Sequence, residues 1–276
     1  MGRDIVNGAD GDLAPLFAPR RIAVVGASHT AGKIGASMAE SLESFDQGEG
    51  RIALVNRRGG GFHASLEDAA EEGPIDLVIM CVPAEACPAL IDEVAAAGAR
   101  AAMVCGGGFA EIGGHGLDLQ SDLLARADEK GIRLLGPNTS GFIDPRRKLI
   151  ASFVPGVAAI PPGRIAIVAG SGGVNHALAF LFAEAGYGLS LAVGLGNAAD
   201  VTASDVLHHL SADPEIAAVA LHLESVDDGP SLVDAITRLV PQTPVVALVV
   251  GRNDVADFAE SHTGNLATSW RTTRAA

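Results

Sequence analysis

Residues 21–35 read Arg21-Ile22-Ala23-Val24-Val25-Gly26-Ala27-Ser28-His29-Thr30-Ala31-Gly32-Lys33-Ile34-Gly35. Four apolar residues lead into a run of small ones, and a helical pattern of apolar positions then runs over 35–45. Strand, glycine-rich turn and helix in that order open a βαβ unit. The same grammar repeats outward. Strands are predicted over 51–56, 75–82, 101–105 and 132–135, with helices over 65–70, 87–97 and 117–130 between them. Strands separated by helices of this length call for right-handed crossovers and a parallel sheet.

The rhythm then breaks. Residues 145–163 hold four prolines and no clear period, which reads as a linker or an irregular hairpin. A second series follows, with strands over 164–169, 189–193, 217–223 and 244–250 and helices over 175–185, 202–210 and 231–239. The expected fold class is α/β, with two doubly wound parallel-sheet domains. We divide the chain into an extended or disordered N-terminus (1–13), a first domain (14–150) and a second domain (160–276).

Composition agrees with this layout. The chain has 276 residues, enough for about two domains. Hydrophobic residues make up 48%, so the chain is not a disordered one. Aromatics are only 4%, leaving Ala, Val, Leu and Gly to fill strands buried on both faces. The net charge of −14 speaks against general nucleic-acid binding, although backbone N–H groups in a loop can still hold a phosphate. The cysteines are Cys81, Cys87 and Cys105. An odd count in apolar runs predicts buried thiols in a reducing compartment, not a disulfide framework. The N-terminus lacks the pattern of a signal peptide, and no apolar run reaches about 18 residues. A soluble cytoplasmic chain with no membrane partner is expected.

In open parallel sheets ligands bind beyond the carboxyl ends of the strands. Four segments there carry chemistry. Gly26, Ala27 and Ser28, with Lys33, Ile34 and Gly35 after them, form a small-residue loop that lets a phosphate approach a helix N-terminus. The glycine spacing is neither the dinucleotide GxGxxG nor a Walker loop. The second strand ends in Asn56-Arg57-Arg58, where basic residues suit a phosphorylated ribose, that of NADP or that of coenzyme A. Gly170, Ser171, Gly172 and Gly173 form a second anion cradle in the second domain. Ser261-His262-Thr263-Gly264 follows the last strand, and Glu224 ends a neighbouring one. A carboxylate on one ring nitrogen fixes the tautomer of a histidine and makes the other nitrogen more nucleophilic. No histidine or cysteine spacing suggests a metal site.

Together these segments resemble the nucleoside-diphosphate-forming acyl-CoA synthetases, a family that includes the alpha subunit of succinyl-CoA synthetase and the ADP-forming acetyl-CoA synthetases. The resemblance rests on residues 23–35, Val55-Asn56-Arg57, Val82-Pro83-Ala84, Gly107-Gly108-Phe109-Ala110-Glu111, Gly136-Pro137-Asn138, Gly170-Ser171-Gly172, residues 194–200, Glu224 and residues 261–264, all in order. It implies a Rossmann-like CoA-binding domain followed by a flavodoxin-like ligase domain. It further implies that an acid is activated as an acyl phosphate, that CoA attacks it, and that phosphate passes through a phosphohistidine. His262 is then that histidine, Glu224 its orienting carboxylate, and Gly170, Ser171, Gly172 and Gly173 the phosphate loop. Gly26, Ala27, Ser28, Lys33, Ile34, Gly35, Asn56, Arg57, Val82, Pro83 and Asn138 would hold coenzyme A. ATP or GTP with Mg would sit on an ATP-grasp partner, a beta-type domain or subunit, in a homo- or hetero-oligomer. The other partner is a small carboxylic acid.

Two positions depart from the family pattern. Ala169-Gly170 precedes Ser171 where many relatives carry Gln or Arg, and Thr139 follows Asn138 where relatives often carry Cys. Both lie near the acyl-transfer region, so the acid stays open. The chain ends soon after His262, where relatives continue, which leaves a C-terminal truncation of the second domain as an open reading. Besides an acid–CoA ligase component, three readings remain. One is a ligase that hands its acyl phosphate to an amine. Another is a CoA-binding module without catalysis. The weakest is an NADP-dependent oxidoreductase.

Overall fold

The computed structural model describes residues 12–226 and 228–250. The first series forms one five-stranded parallel sheet. Its strands are β1 (Ile22–Val25), β2 (Ile52–Val55), β3 (Leu77–Met80), β4 (Ala101–Val104) and β5 (Arg133–Leu135), in the order β2-β1-β3-β4-β5. Helices α1 (Ala14–Phe17), α2 (Ile34–Asp46), α3 (Leu66–Ala70), α4 (Cys87–Ala96) and α5 (His115–Lys130) pack around it. Every residue of β1, β3 and β4 is buried, as the unbroken apolar runs foretold. Ser65 caps α3 by accepting from Asp68 N, and α5 ends where Gly131 turns left-handed.

The second sheet has six strands. They are β6 (Gly141–Asp144), β7 (Leu149–Ser152), β8 (Pro162–Ala169), β9 (Leu189–Gly194), β10 (Ala218–Leu223) and β11 (Val245–Val249), ordered β11-β10-β8-β9-β6-β7. Helices α6 (Gly172–Glu184), α7 (Ala203–Ser211) and α8 (Gly229–Leu239) accompany it. Thr202 and Asp205 form a reciprocal capping box on α7.

This sheet is mostly parallel, as expected, and adds one antiparallel hairpin at its edge. β6 runs antiparallel to both β7 and β9. The hairpin closes where Asp144 accepts from Arg147 N at 3.0 Å and from the Arg147 guanidinium at 2.9 Å. Its strands are four residues long and sit beside the prolines, too short to show a period of two. The first sheet thus ends at Leu135 and the second begins at Gly141.

One apolar cluster runs through both sheets, from Phe17, Met38 and Ile79 through Phe142 to Val168, Leu207 and Leu221. Phe17 and Phe142 meet edge-on at 5.2 Å. Burying each such ring contributes about 1.5–3 kcal/mol, so the contact binds the two halves together. Polar ties add to it. Arg133 Nε donates to Asp200 at 3.0 Å, and Leu134 N donates to the same carboxylate at 2.8 Å. Two further clusters fill the outer faces of the sheets. Among the described residues no helix is long and apolar enough to cross a membrane.

The strand order fixes where ligands can reach the backbone. In the first sheet the chain leaves β1 to one side for β2 and then crosses to β3 on the other. In the second it leaves β8 for β9 and then crosses to β10. The helices that follow β1 and β8 therefore part from their neighbours at the carboxyl edge, opening a crevice at β1/β3 and another at β8/β10.

Candidate functional site

At the β1/β3 crevice the turn after β1 is possible only because residue 26 is glycine. Its φ is +90°, and a Cβ there would overlap the carbonyl oxygen of Cys81. Gly35, in the first turn of α2, packs so closely that a Cβ would overlap the carbonyl oxygen of Gly26. The helix N-terminus is thereby pressed onto the strand end. Lys33 is the N-cap and is exposed, and no side chain caps α2. Its leading N–H groups are open to an anion. Ser28 Oγ accepts from Thr30 N at 3.0 Å, shaping the loop.

Asn56 links the turns after β1 and β2. Its Nδ2 donates to Ala27 O at 2.7 Å, and its Oδ1 accepts from Arg58 N at 2.9 Å. Val82 reaches the same corner, 3.1 Å from where a Cβ on Gly26 would stand, and Pro83 beside it is exposed. Arg57 is placed differently from the rest. Its guanidinium is paired with Glu93, just across on α4. His29 stacks on Phe62, with ring centroids 4.3 Å apart, a contact that no local pattern foretells.

The loops continue as a rim toward the second sheet. Gly106, after β4, abuts the Val82 carbonyl, and Asn138 N donates to Gly106 O at 3.0 Å. Asn138 holds a left-handed φ of +60° and lines a cavity shared with the second sheet. Thr139, the position that departs from the family pattern, is 1% exposed. Its hydroxyl donates to Gly194 O and accepts from Gly141 N at 2.9 Å. Both hydrogen-bonding directions are used by backbone, so this hydroxyl holds the crossover between the sheets.

Glu111 lies in the loop after β4, within the segment Gly107-Gly108-Phe109-Ala110-Glu111. It accepts from the backbone of Gly108 and, at 3.1 Å, of Phe109, and from Asn197 Nδ2 at 2.6 Å. Burial pushes its carboxyl up, but the hydrogen bonds from Asn197 and the backbone outweigh that and hold it below the usual carboxylate range.

At the β8/β10 crevice the structure brings the second cradle and Glu224 together. Gly170 N donates to His222 O at 3.1 Å, joining the end of β8 to β10. The Glu224 carboxylate lies 3.7 Å from where a Cβ on Gly170 would be. Ser171 caps α6, its Oγ accepting from Val174 N at 3.5 Å. A Cβ on Gly172 would overlap Ser140 Oγ, so this turn and the crossover segment lie in close contact. The N-terminus of α6 faces the crevice beside Gly173 with its N–H groups forward.

Two buried histidines lie in this region. His176 Nδ1 lies 2.6 Å from Gly172 O, a pure acceptor, so Nδ1 carries the proton. Nε2 then accepts from Ser152 Oγ at 3.0 Å. The ring ties α6 to β7 as a neutral imidazole, and burial pushes its pKa down. His222, two residues before Glu224, is 2% exposed and also pushed down by burial. His262, with Ser261, Thr263 and Gly264, lies outside the described residues. Among the described residues no group of three or more His, Cys, Asp or Glu could hold a metal ion.

The three cysteines are free. Cys87 and Cys105 are buried as expected, while Cys81 is half-buried. The Sγ atoms of Cys81 and Cys105 are 4.0 Å apart. Burial pushes the Cys87 thiol up to about 12.

The fold and its two glycine cradles define a class of protein, and comparison with known proteins agrees. Residues 20–145 match the family model described as a CoA binding domain, and residues 162–276 match that of a succinyl-CoA ligase like flavodoxin domain. The chain belongs to the nucleoside-diphosphate-forming acyl-CoA synthetase family. It is 32% identical to the alpha subunit of acetate–CoA ligase [ADP-forming] I of Pyrococcus furiosus, over 93% of this chain and 57% of that one. It is 33% identical to acetate–CoA ligase [ADP-forming] I of Archaeoglobus fulgidus, over 95% of this chain and 38% of that one. A dinucleotide-forming acetyl-coenzyme A synthetase of Candidatus Korarchaeum cryptofilum, solved with phosphate and ADP, superposes with a TM-score of 0.87. It shares 30% identity, over 96% of this chain and 57% of that one. The chain thus spans little more than half the length of the first and third of these proteins and less of the second.

Proposed function

We propose that this chain is the CoA-binding and phosphoryl-carrying part of an acid–CoA ligase of the NDP-forming kind. The acid's carboxylate takes a phosphoryl group from His262 to become an acyl phosphate. The CoA thiolate then attacks the carbonyl carbon and expels phosphate, giving the thioester. An ATP-grasp domain or subunit, holding ATP or GTP with Mg, recharges His262. Three free cysteines and the family's chemistry support a cytoplasmic setting.

The observation that carries this reading is the pairing of two glycine-lined helix N-termini, α2 and α6, on one rim of loops. Coenzyme A brings a reactive thiol and several phosphates. The cradle of Gly26, Ala27, Ser28, Lys33, Ile34 and Gly35 fits a diphosphate, because α2 has no side-chain cap and its turn admits no Cβ. Asn56, Arg57, Val82, Pro83 and Asn138 complete that site. Arg57 must leave Glu93 to reach a ribose phosphate. An exposed ion pair contributes only about 0–1 kcal/mol, so the exchange costs little.

The α6 cradle of Gly170, Ser171, Gly172 and Gly173 serves the other anion. A phosphoryl group on imidazole carries about two negative charges, which aligned N–H groups stabilise without a counter-ion. Phosphoryl transfer needs mostly positioning and charge stabilisation, and a rigid helix end provides both. Glu224, against Gly170, orients the imidazole of His262.

The test is calorimetric titration of the chain with CoA and, separately, with NADPH. Binding of CoA alone supports the ligase reading. Binding of NADPH alone overturns it in favour of an oxidoreductase, and binding of neither removes CoA recognition from this chain.

A further inference from the structure

Two of the three cysteines face each other across the first sheet. The last paired residues of β3 and β4 are Met80 and Val104, and the next residue on each strand is a cysteine. The ladder runs on through them. Cys105 N donates to Met80 O at 3.1 Å, and Cys81 N donates to Val25 O at 2.8 Å. Cys81 and Cys105 are therefore direct neighbours on adjacent parallel strands, whose backbones lie about 4.7–4.9 Å apart. A disulfide needs Cα atoms about 4.4–6.8 Å apart, so the backbone already suits one. Both side chains leave the same face, Cys105 inside the cluster that joins the two sheets and Cys81 packed against it. Their sulfurs stand 4.0 Å apart. Side-chain rotation can supply most of the approach that a bond of about 2.05 Å requires.

The two thiols differ in access. Cys105 is 5% exposed. Its hydrogen bond with Cys81, and then burial, push its thiol well above the ordinary range. Cys81 is half-buried just past β3, and its carbonyl oxygen lies against the Gly26 turn. An accessible thiol with a resolving thiol behind it is the arrangement of a redox pair. Cys87 stands outside it, buried in the cluster on the opposite face with its Sγ 3.6 Å from Pro83 O. Nor is the pair half of a metal centre, since among the described residues no third ligand completes one. In a reducing compartment a disulfide of this kind is transient, formed and broken by exchange.

We propose that Cys81 and Cys105 form a reversible disulfide by exchange with small-molecule disulfides of the glutathione type. The Cys81 thiolate attacks one sulfur of the small disulfide and expels a thiolate, leaving a mixed disulfide on Cys81. Cys105 then attacks the Cys81 sulfur as its proton passes to solvent, and expels the second thiolate. Two protein thiols are oxidised to one disulfide, and one small disulfide is reduced to two thiols. Closure ties β3 to β4 at the floor of the β1/β3 crevice. The proposal concerns the thiols alone and holds whether or not the chain binds CoA.

The test exposes the folded, reduced chain to glutathione disulfide. Wild type should fall from three free thiols to one, lose two hydrogens in mass and keep its circular dichroism. Peptide mapping without reduction should join Cys81 to Cys105, and dithiothreitol should restore all three thiols. C105A should stop with one glutathione on Cys81. C81A should take up glutathione at least about tenfold more slowly than C105A, because both thiols left are buried. C87A should close as wild type does. Where a variant fails to fold, mapping of the wild type decides alone. Three thiols remaining, a stable mixed disulfide on wild-type Cys81, a bond to Cys87 or bonds between chains would each overturn the proposal.

Discussion

Asn197 Nδ2 donates to Glu111 Oε2 at 2.6 Å across 86 residues of sequence, joining a loop of the second sheet to one of the first. The same amide group donates to Gln120 Oε1 at 2.9 Å, and Asn138 Nδ2 reaches Asn197 Oδ1 at 3.4 Å. The rim is held as one piece at the place where acyl transfer is proposed. Nothing local to either residue marks this pairing, yet together they tie the two cradles' loops to each other.

Replacing Glu111 by Gln sets an amide N–H against the Asn197 donor or removes an acceptor from the backbone. Hydrogen bonds to a charged group contribute about 1.5–3 kcal/mol, and E111Q should lower the unfolding free energy by roughly that amount in urea at neutral pH. The Glu111 pKa is depressed in the folded state. Its stabilisation is therefore complete above the unfolded carboxyl pKa of about 4.3 and is lost as pH falls through the lower folded value. The gap between wild type and E111Q should close in acid. An equal gap at pH 7 and in acid would remove Glu111 as the clamp.

His176 and His222 are both depressed by burial, so the unfolded chain binds more protons than the folded one below about pH 6.5. Stability should be full above that pH and fall as the solution is acidified. His176→Asn should be less stable at pH 7.5 but show a shallower decline of urea midpoint between pH 6.5 and pH 5. An unchanged slope would place the acid sensitivity elsewhere.

Gly35→Ala introduces a Cβ that overlaps the Gly26 carbonyl. Overpacking of this kind costs about 1–3 kcal/mol, and it displaces α2 from the turn. Thermal unfolding should shift down and CoA affinity, read by calorimetry, should fall. The nearby Gly32→Ala meets no atom within 4 Å but holds a φ of +81°, so it is strained through its backbone alone. If G35A binds CoA as wild type does, the cradle is not the diphosphate site.

Phosphoenzyme formation separates the roles of His262 and Glu224. With an ATP-grasp partner and labelled ATP, His262→Asn should abolish acid-labile labelling completely. Glu224→Gln should slow labelling without abolishing it, because an orienting carboxylate acts through the imidazole. Retained acid-labile labelling in H262N would reassign the phosphoryl carrier.

The sequence alone determined the alternation of strands and helices, because buried parallel strands are written as unbroken apolar runs with breakers between them. It also determined both glycine cradles. A backbone that must pass close to a neighbour's backbone excludes a Cβ whatever the rest of the fold does, as at Gly26 and Gly35. Tertiary structure decided the rest. β6 and β7 are too short to carry a period and became strands only by pairing with each other and, through β6, with β9. Arg57 is a cation in any reading of the sequence, but only the packing of α4 gave it Glu93. The Glu111–Asn197 and Ser152–His176 contacts join residues far apart in the chain. Side-chain hydrogen bonds across a closed core leave no local pattern, because their partners are chosen by the approach of two sheets and not by their neighbours in sequence.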